Sequence, residues 1–219
     1  DLNGWQQVKL NNGLSDPPQF FRTSGKDFIV YADSRGEINI IDRRGRQRIR
    51  VEEGLLRSTG SPVYENKTNN KGIFLMASSK GDLAYIDING KTTTSRFGDH
   101  GNHPWFDYCD FTGDKENDFI FCGNGKVDVY TKKKDVIASA SMPGSSFSKP
   151  VVYSSKRVSW LAVRDLKSRK IIVFNTNNQS VKGNSLLSDA DPVIFYSDGE
   201  KMPVLVTVLG GKMIFTLLK

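Results

Sequence analysis

Glu65 and Asp107 occupy matched places in the chain: each stands three residues after a proline, Pro62 and Pro104, and Tyr153 holds the same place after Pro150. Two carboxyls that face one another are the equipment of glycoside hydrolysis, one serving as acid and the other as base or nucleophile. A second concentration of chemistry is the stretch GDHGNHPWFD, residues 98–107. It holds both histidines, His100 and His103, beside Asp99, Asn102, Trp105 and Asp107. His-x-x-His with a carboxylate can ligate zinc, but such a site needs a third firm partner, and none is evident in the sequence. Imidazoles, an amide and an indole together suit a polar ligand such as a sugar, and they equally suit a loop capped by its own side chains.

Other chemistries find little support. There is no phosphate-cradling glycine motif and no nucleophile with a base beside it, and two histidines leave little for hydrolysis of the serine or cysteine type. Cys109 and Cys122 flank a polar turn at positions that set them several residues out of register. Two free thiols are therefore expected, because a disulfide needs Cα atoms within about 7 Å. Two cysteines leave the compartment open. Asn66 and Asn178 begin glycosylation sequons, which carry meaning only in a secreted eukaryotic chain.

These side chains need elements to position them, and the 219 residues contain a repeat that supplies them. With 25% charged and 37% hydrophobic residues, the composition excludes a low-complexity disordered chain. The longest apolar runs, 204–209 and 213–218, fall far short of a membrane-spanning helix. Abundant Val, Ile, Phe, Thr and Gly, without sustained i, i+3, i+4 apolar spacing, indicate strands.

Five segments share the plan of apolar run, tight polar turn and alternating apolar run: 28–42, 73–87, 119–131, 160–175 and 204–217. Their turns centre on Gly36, Gly81, Gly125, Arg169 and Gly211, at steps of 45, 44, 44 and 42 residues. An independent anchor is the proline that opens an apolar run ahead of each hairpin, Pro18, Pro62, Pro104, Pro150 and Pro192, at steps of 44, 42, 46 and 42. Proline suits the first residue of a strand because it has no N–H to give to a ladder. Two positions later stand Phe20, Tyr64, Phe106, Val152 and Ile194, expected to face a dry interface.

A fourth, more polar segment follows four of the hairpins, at 47–51, 92–97, 136–142 and 180–186, as suits an outer edge strand. The fifth hairpin has none, and residues 5–10 (WQQVKL) offer the missing strand at the other end of the chain. Four-stranded units of this length repeated radially indicate an all-β fold, a five-bladed β-propeller of antiparallel blades. The blades are expected at 18–51, 62–97, 104–142, 150–186 and 192–219, one domain in all, with the N-terminal strand 4–10 pairing in the last blade to close the ring. An open fragment or a solenoid would match surplus to deficit only by chance.

In such a fold the connections into each first strand (D-A) and the turns between second and third strands (B-C) lie on one face. Every B-C turn there carries a cation: Arg35, Lys80, Lys126, Lys167 with Arg169 and Lys170, and Lys212. A cationic ring could draw an anionic ligand or an acidic partner, although lysine beside glycine in a solvated turn is ordinary, and Glu37, Asp82 and Asp128 offset part of the field. The densest basic runs, 43–50 (RRGRQRIR) and 132–134, fall on the opposite rim. No aromatic interleaves them, so nucleic acid is not the expected partner of a chain whose net charge is +7.

Residues 110–123, DFTGDKENDFIFCG, resemble the FG-GAP (VCBS-like) propeller repeat. The resemblance implies a calcium loop with oxygen ligands at positions 1, 3, 5 and 9, here Asp110, Thr112, Asp114 and Asp118. Lys115 stands where that family usually has glycine, Thr112 where it has Asp or Asn, and the other four turns of this kind lack the acidic series. The alternative is a polar turn whose aspartates accept backbone N–H bonds, with no cofactor. Residues 31–45 and 76–90 also resemble quinoprotein-like propeller repeats, a plan shared by many non-enzymatic scaffolds.

The expectation is therefore a non-enzymatic binding or scaffold module whose partner, a protein or a glycan, sits on the D-A and B-C face. Arg35, Lys80, Lys126, Lys212, His100, Asn102, His103 and Trp105 are its candidate contacts. The alternatives are a lectin-like propeller using the histidine loop and a glycoside hydrolase using Glu65 and Asp107. The chain begins at Asp1 without a methionine, which suggests a processed form or an excised segment; a monomeric domain of a larger chain, without membrane insertion, is expected. A periplasmic, cell-surface or secreted location is the expected one.

Overall fold

The computed structural model describes residues 10, 12–67, 72–141, 144, 146–155, 158–177, 186–196 and 202–218. They form five separate antiparallel sheets of three or four strands, and the chain divides into two compact units, Asp1–Pro104 and Trp105–Lys219. No helix occurs among the described residues, so none is long and apolar enough to cross a membrane.

The first unit holds two four-stranded sheets. One runs β1 (Gln19–Thr23), β2 (Lys26–Ala32), β3 (Ile38–Ile41) and β4 (Gln47–Ile49), in chain order. The other runs β5 (Tyr64–Glu65), β6 (Phe74–Ala77), β7 (Leu83–Ile86) and β8 (Thr92–Ser95). Strand β2 alternates as a half-buried strand should, burying Phe28, Val30 and Ala32. Its hairpin with β1 turns through Ser24 and Gly25, both at positive φ (49° and 71°), the pair of angles that matches the twist of two-residue hairpins. These buried residues pack with Ile38, Ile40 and Ile49 against Phe74, Met76, Ala84 and Ile86 of the second sheet and against Val63 just before it. Phe74 sits edge-on to Phe28, with centroids 5.5 Å apart. Fully burying such a ring contributes about 1.5 to 3 kcal/mol. The outer strand β8, TTTS, is polar and largely solvated, as the sequence predicts for an edge.

The second unit holds three sheets. The first comprises β9 (Trp105–Cys109), β10 (Asp118–Gly123), β11 (Lys126–Tyr130) and β12 (Val136–Ser141). The second comprises β13 (Val151–Tyr153), β14 (Trp160–Arg164) and β15 (Ile171–Asn175), and the third β16 (Val193–Tyr196), β17 (Pro203–Leu209) and β18 (Lys212–Leu217). Ile120, Cys122, Val127 and Val129 pack against Leu161, Val163 and Phe174 of the next sheet. Trp160, Ala162, Ile171 and Val173 in turn pack against Ile194, Leu205 and Leu218. The core of each unit thus lies between successive sheets.

All five hairpins expected from the repeat form, with Gly36, Gly81, Gly125, Arg169 and Gly211 in their turns at positive φ. The fourth segments 47–51, 92–97 and 136–142 contain β4, β8 and β12. The segment 180–186 and the closing strand 4–10 lie almost wholly outside the described residues.

One positional expectation is corrected. Phe20 is 62% exposed, and Phe21 packs on the core instead, 5.1 Å from Phe74. The register explains it, since Phe21 stands opposite buried Phe28 while Phe20 stands opposite Ile29.

Candidate functional site

At one end of four of the five sheets, the connection entering the first strand is laced to a B-C turn or to the end of a strand beside it. In the first unit the Ser15 N–H donates to the Ala32 carbonyl at 3.1 Å, and the Ser34 N–H returns to Gly13 at 2.6 Å. The next connection repeats this. Ser58 donates to Ala77, Ser79 donates to Leu56 and Arg57 donates to Gly36, each at 2.8 Å, so that one stretch of chain bridges two successive turns. The Ser58 and Ser61 hydroxyls both donate to the Pro104 carbonyl, at 2.6 and 2.8 Å. Innermost strands are tied as well, because the Gln19 side-chain amide gives to the Val63 carbonyl at 3.0 Å and takes from its N–H at 2.8 Å.

The second unit uses the same device. The Ser148 N–H donates to Arg164 at 2.9 Å while its hydroxyl accepts the Arg164 N–H at 3.1 Å. Ser188 donates to Arg169 at 2.9 Å and accepts the Val208 N–H at 3.0 Å. Buried serines therefore hold loops to strand ends without orphaning backbone groups.

The B-C turns are fixed by their first residue. Asp33 accepts the N–H groups of Arg35 and Glu37 at 2.9 and 3.0 Å, Asp165 accepts that of Lys167 at 3.0 Å, and the Ser78 hydroxyl accepts that of Asp82 at 3.2 Å. Burial pushes the Asp33 carboxyl upward, but the Glu37 and Arg35 N–H groups, the Asn12 amide and the Arg35 charge outweigh it and hold the group below its ordinary value. Asp165 is lowered too, chiefly by the Ser168 hydroxyl at 2.6 Å. The C-D turns follow a matching rule: Asp42, Asp87, Thr131 and Asn175 each accept the N–H two residues on.

The candidate contact residues fall into distinct environments. Lys80 and Lys212 are exposed on their turns. Arg35 is exposed but paired, 3.0 Å from Glu37 and 3.5 Å from Asp33. Lys126 is tied down, its Nζ 3.1 Å from the carboxylate of buried Asp128, which also accepts from Tyr130 and Ser139.

The histidine loop separates in the same way. His100 is buried at 1% exposure, whereas Asn102 and His103 are exposed. His103 takes a φ of 52°, donates its N–H to Ser79 at 2.9 Å and brings Nδ1 to 3.4 Å from Thr59. Trp105 opens the second unit, half-buried on its core, and its indole N–H donates to the Phe147 carbonyl at 2.8 Å.

Glu65 is half-buried on β5 of the first unit, opposite Phe74. Asp107 is half-buried on β9 of the second, its carboxylate accepting the Tyr108 N–H at 2.8 Å.

The acidic loop turns its carboxylates on itself. Asp118 accepts the Phe111 and Thr112 N–H groups and the Thr112 hydroxyl at 2.9 to 3.1 Å. Asp110 accepts Gly113 and Lys115, and Asp114 accepts Glu116. Burial dominates at Asp118 and raises its carboxyl despite those donors. Lys115 adopts a φ of 74°, the left-handed conformation that the glycine of the FG-GAP pattern would take without strain. Among the described residues, no three His, Cys, Asp or Glu side chains gather closely enough to hold a metal ion.

Arg57 was not among the candidates, yet it lies at the centre of the first unit's connections. It is 5% exposed, pairs with Asp16, and donates to Ser15 Oγ at 2.9 Å and to the Ser61 carbonyl. The signal that could have found the lacing is the serine ahead of four of the five proline runs, in LSDPP, RSTGSP, FSKP and LSDADP.

No protein-family model matches the chain, and no curated protein matches it in sequence. Among solved structures it is similar to BamB from Moraxella catarrhalis, with a TM-score of 0.54 at 13% identity over 97% of this chain and 59% of that one. It is also similar to BBS1N, solved in complex with ARL6DN, with a TM-score of 0.56 at 12% identity over 95% of this chain and 70% of that one. Both are propeller-like. The fold is of the β-propeller type. This chain spans about three fifths of the BamB chain that it matches, and at such identities the likeness concerns fold alone.

Proposed function

We propose that this propeller is a non-enzymatic binding module. It has five blades closed by residues 4–10 along β18, and it presents the rim of connections and B-C turns to a protein partner. The observation that carries this is the combination of a laced rim with exposed cations. Lys80 and Lys167 project from turns whose backbone is fixed by Ser78, Asp165 and the adjoining connections. A surface already ordered loses little conformational freedom on binding. Its positive side chains speed encounter with an acidic partner. The closing strand is supported by strand count, since the last sheet ends at β18 with three strands where the first three sheets have four. BBS1N, a neighbour in fold, was solved with a protein partner.

A photo-crosslinking residue placed at Lys80 or Lys167 tests the reading against the same residue at Asn89 or Lys133 on the C-D turns. The rim positions should capture one partner from native extract, and the C-D positions should not. Capture only from the C-D positions would overturn the face. Binding on a glycan array that is lost in His103→Ala would favour the lectin reading instead. Sugar release that is lost in both Glu65→Gln and Asp107→Asn would favour the hydrolase.

A further inference from the structure

The opposite end of the first sheet carries a different surface. Residues 43–50 place five arginines within eight positions. Their turn is fixed by Asp42, whose Oδ1 accepts the N–H groups of Arg44 and Arg46 at 2.8 and 3.1 Å. A register shift between Ile40 and Ile41 then interrupts the ladder opposite β4, and the Arg48 guanidinium lies 5.6 Å from the ring centroid of buried Phe28. With the β1–β2 turn these residues line an open cleft of about 310 Å³. Lys26, Arg43, Arg44, Arg46 and Arg48 face two carboxylates there, Asp27 and Asp42, which leaves a net charge of three positive.

Both carboxylates already have arginine partners. Arg46 grips Asp42 through Nε and a terminal nitrogen at 3.0 and 2.9 Å, and Asp27 lies 3.7 Å from Arg43 and 3.8 Å from Arg22. Among the described residues, Lys26, Arg44 and Arg48 have no ion-pair partner. The cleft thus displays the fork-to-carboxylate geometry that guanidinium favours and retains cations to repeat it. A nucleic-acid strand fits less well. Its stacked bases need exposed aromatic faces, whereas the aromatic here is buried beneath Arg48, and the two fixed carboxylates would repel a continuous phosphate backbone.

We propose that this cleft docks an acidic peptide segment of a protein partner, with Arg44 and Arg48 taking its carboxylates. The site goes beyond the rim reading, stands on other residues, and can fail or hold independently of it.

The test is fluorescence anisotropy of the whole chain with a fluorescein-labelled (Glu-Gly)5 peptide at 50 and 150 mM NaCl. Saturable binding that weakens with salt is expected. It should fall at least tenfold in Arg44→Glu/Arg48→Glu and stay at the wild-type level in Lys132→Glu/Lys133→Glu, which changes net charge equally on another C-D turn. All four side chains are exposed, and thermal melts of both variants are to be compared with wild type to check that each folds. Equal weakening in the two variants, absence of saturable binding, or tighter binding of a ten-nucleotide single-stranded DNA at 150 mM NaCl would each overturn the proposal.

Discussion

The guanidinium of Arg57 is paired with the carboxylate of Asp16, 41 residues earlier in the chain, while 5% of the arginine side chain and 35% of the aspartate side chain reach solvent. The pair joins two connections that are remote in sequence and fixes the first unit's rim from beneath. A buried cation left without its counter-charge is costly, whereas a partly solvated carboxylate is less so. Asp16→Asn, which leaves the buried guanidinium without its counter-charge, should therefore lower unfolding stability by about 3 kcal/mol, and Arg57→Ala, which leaves only the partly solvated carboxylate, by less. Urea titrations of both variants check this order.

The same pair has a pH signature. Burial raises the Asp16 carboxyl, but the hydrogen bond and charge of Arg57 and the Ser15 hydroxyl outweigh it, and the folded value lies below 3.8. The unfolded chain then binds the proton more readily, so the stabilisation is present above about pH 3.8 and is lost as pH falls through the lower folded value. Asp33 and Asp165 act in the same direction. Urea midpoints measured from pH 7 to pH 2.5 should fall on the acid side, and the gap between wild type and Asp16→Asn should narrow there. A gap that stays constant to pH 2.5 would contradict the linkage.

Gly81 offers a test of the rim's close packing. Its φ is +87°, and a Cβ placed on it would lie 2.4 Å from the Gly101 carbonyl oxygen in the neighbouring connection. Gly25 has a φ of +71° with open space around it. Gly81→Ala should cost about 3 kcal/mol through backbone clash, and Gly25→Ala about 1 kcal/mol through strain alone. Equal losses in thermal melts would mean that the connection yields to the added methyl.

The repeat was legible because each of its signals has a local cause. Glycine marks turns at positive φ, as at Gly36 and Gly81, proline marks strand starts, and polar threonines mark the outer strand β8. What escaped depends on register or on distant partners. Phe20 and Phe21 differ by one residue, and only pairing with β2 decides which faces the core. Nothing near Arg57 in the sequence distinguishes a buried clamp from a surface arginine. Trp105 and His100 read as ligand contacts by type, yet the indole N–H is committed to Phe147 and the imidazole is buried.

The two thiols should be silent in the folded chain. Cys109 stands opposite Asp118 and Cys122 opposite Trp105, so the pair is out of register and both remain free. Burial, with the charges of Asp107 and Asp118 adding to it, pushes Cys109 up to about 12, and burial alone pushes Cys122 upward. Thiolate is the reactive form and is scarce at pH 8 under these conditions. Ellman's reagent should therefore modify neither cysteine readily in the native state and both rapidly in urea. Fast labelling of native protein that disappears in Cys109→Ser would locate an opening of β9.

Asp118 decides between a self-capped turn and an ion site in the acidic loop. Its carboxylate serves two backbone N–H groups and the Thr112 hydroxyl, and an ion would have to replace those donors. Asp118→Ala should cost about 2 kcal/mol by leaving buried donors unsatisfied. A ligand bound to the native state raises stability by mass action. Wild-type melts in millimolar calcium and in chelator are therefore expected to superimpose, and a chelator-induced drop that is absent from Asp118→Ala would show the ion instead. The pH effect runs opposite to that of Asp16. Burial raises the Asp118 carboxyl above 3.8, so its contribution is greatest in acid and declines as pH rises through the folded value. The advantage of wild type over Asp118→Asn should accordingly be larger at pH 3.5 than at pH 7. Lys115→Gly supplies the control, since relieving a φ of 74° should raise stability by about 1 kcal/mol whether or not calcium is present.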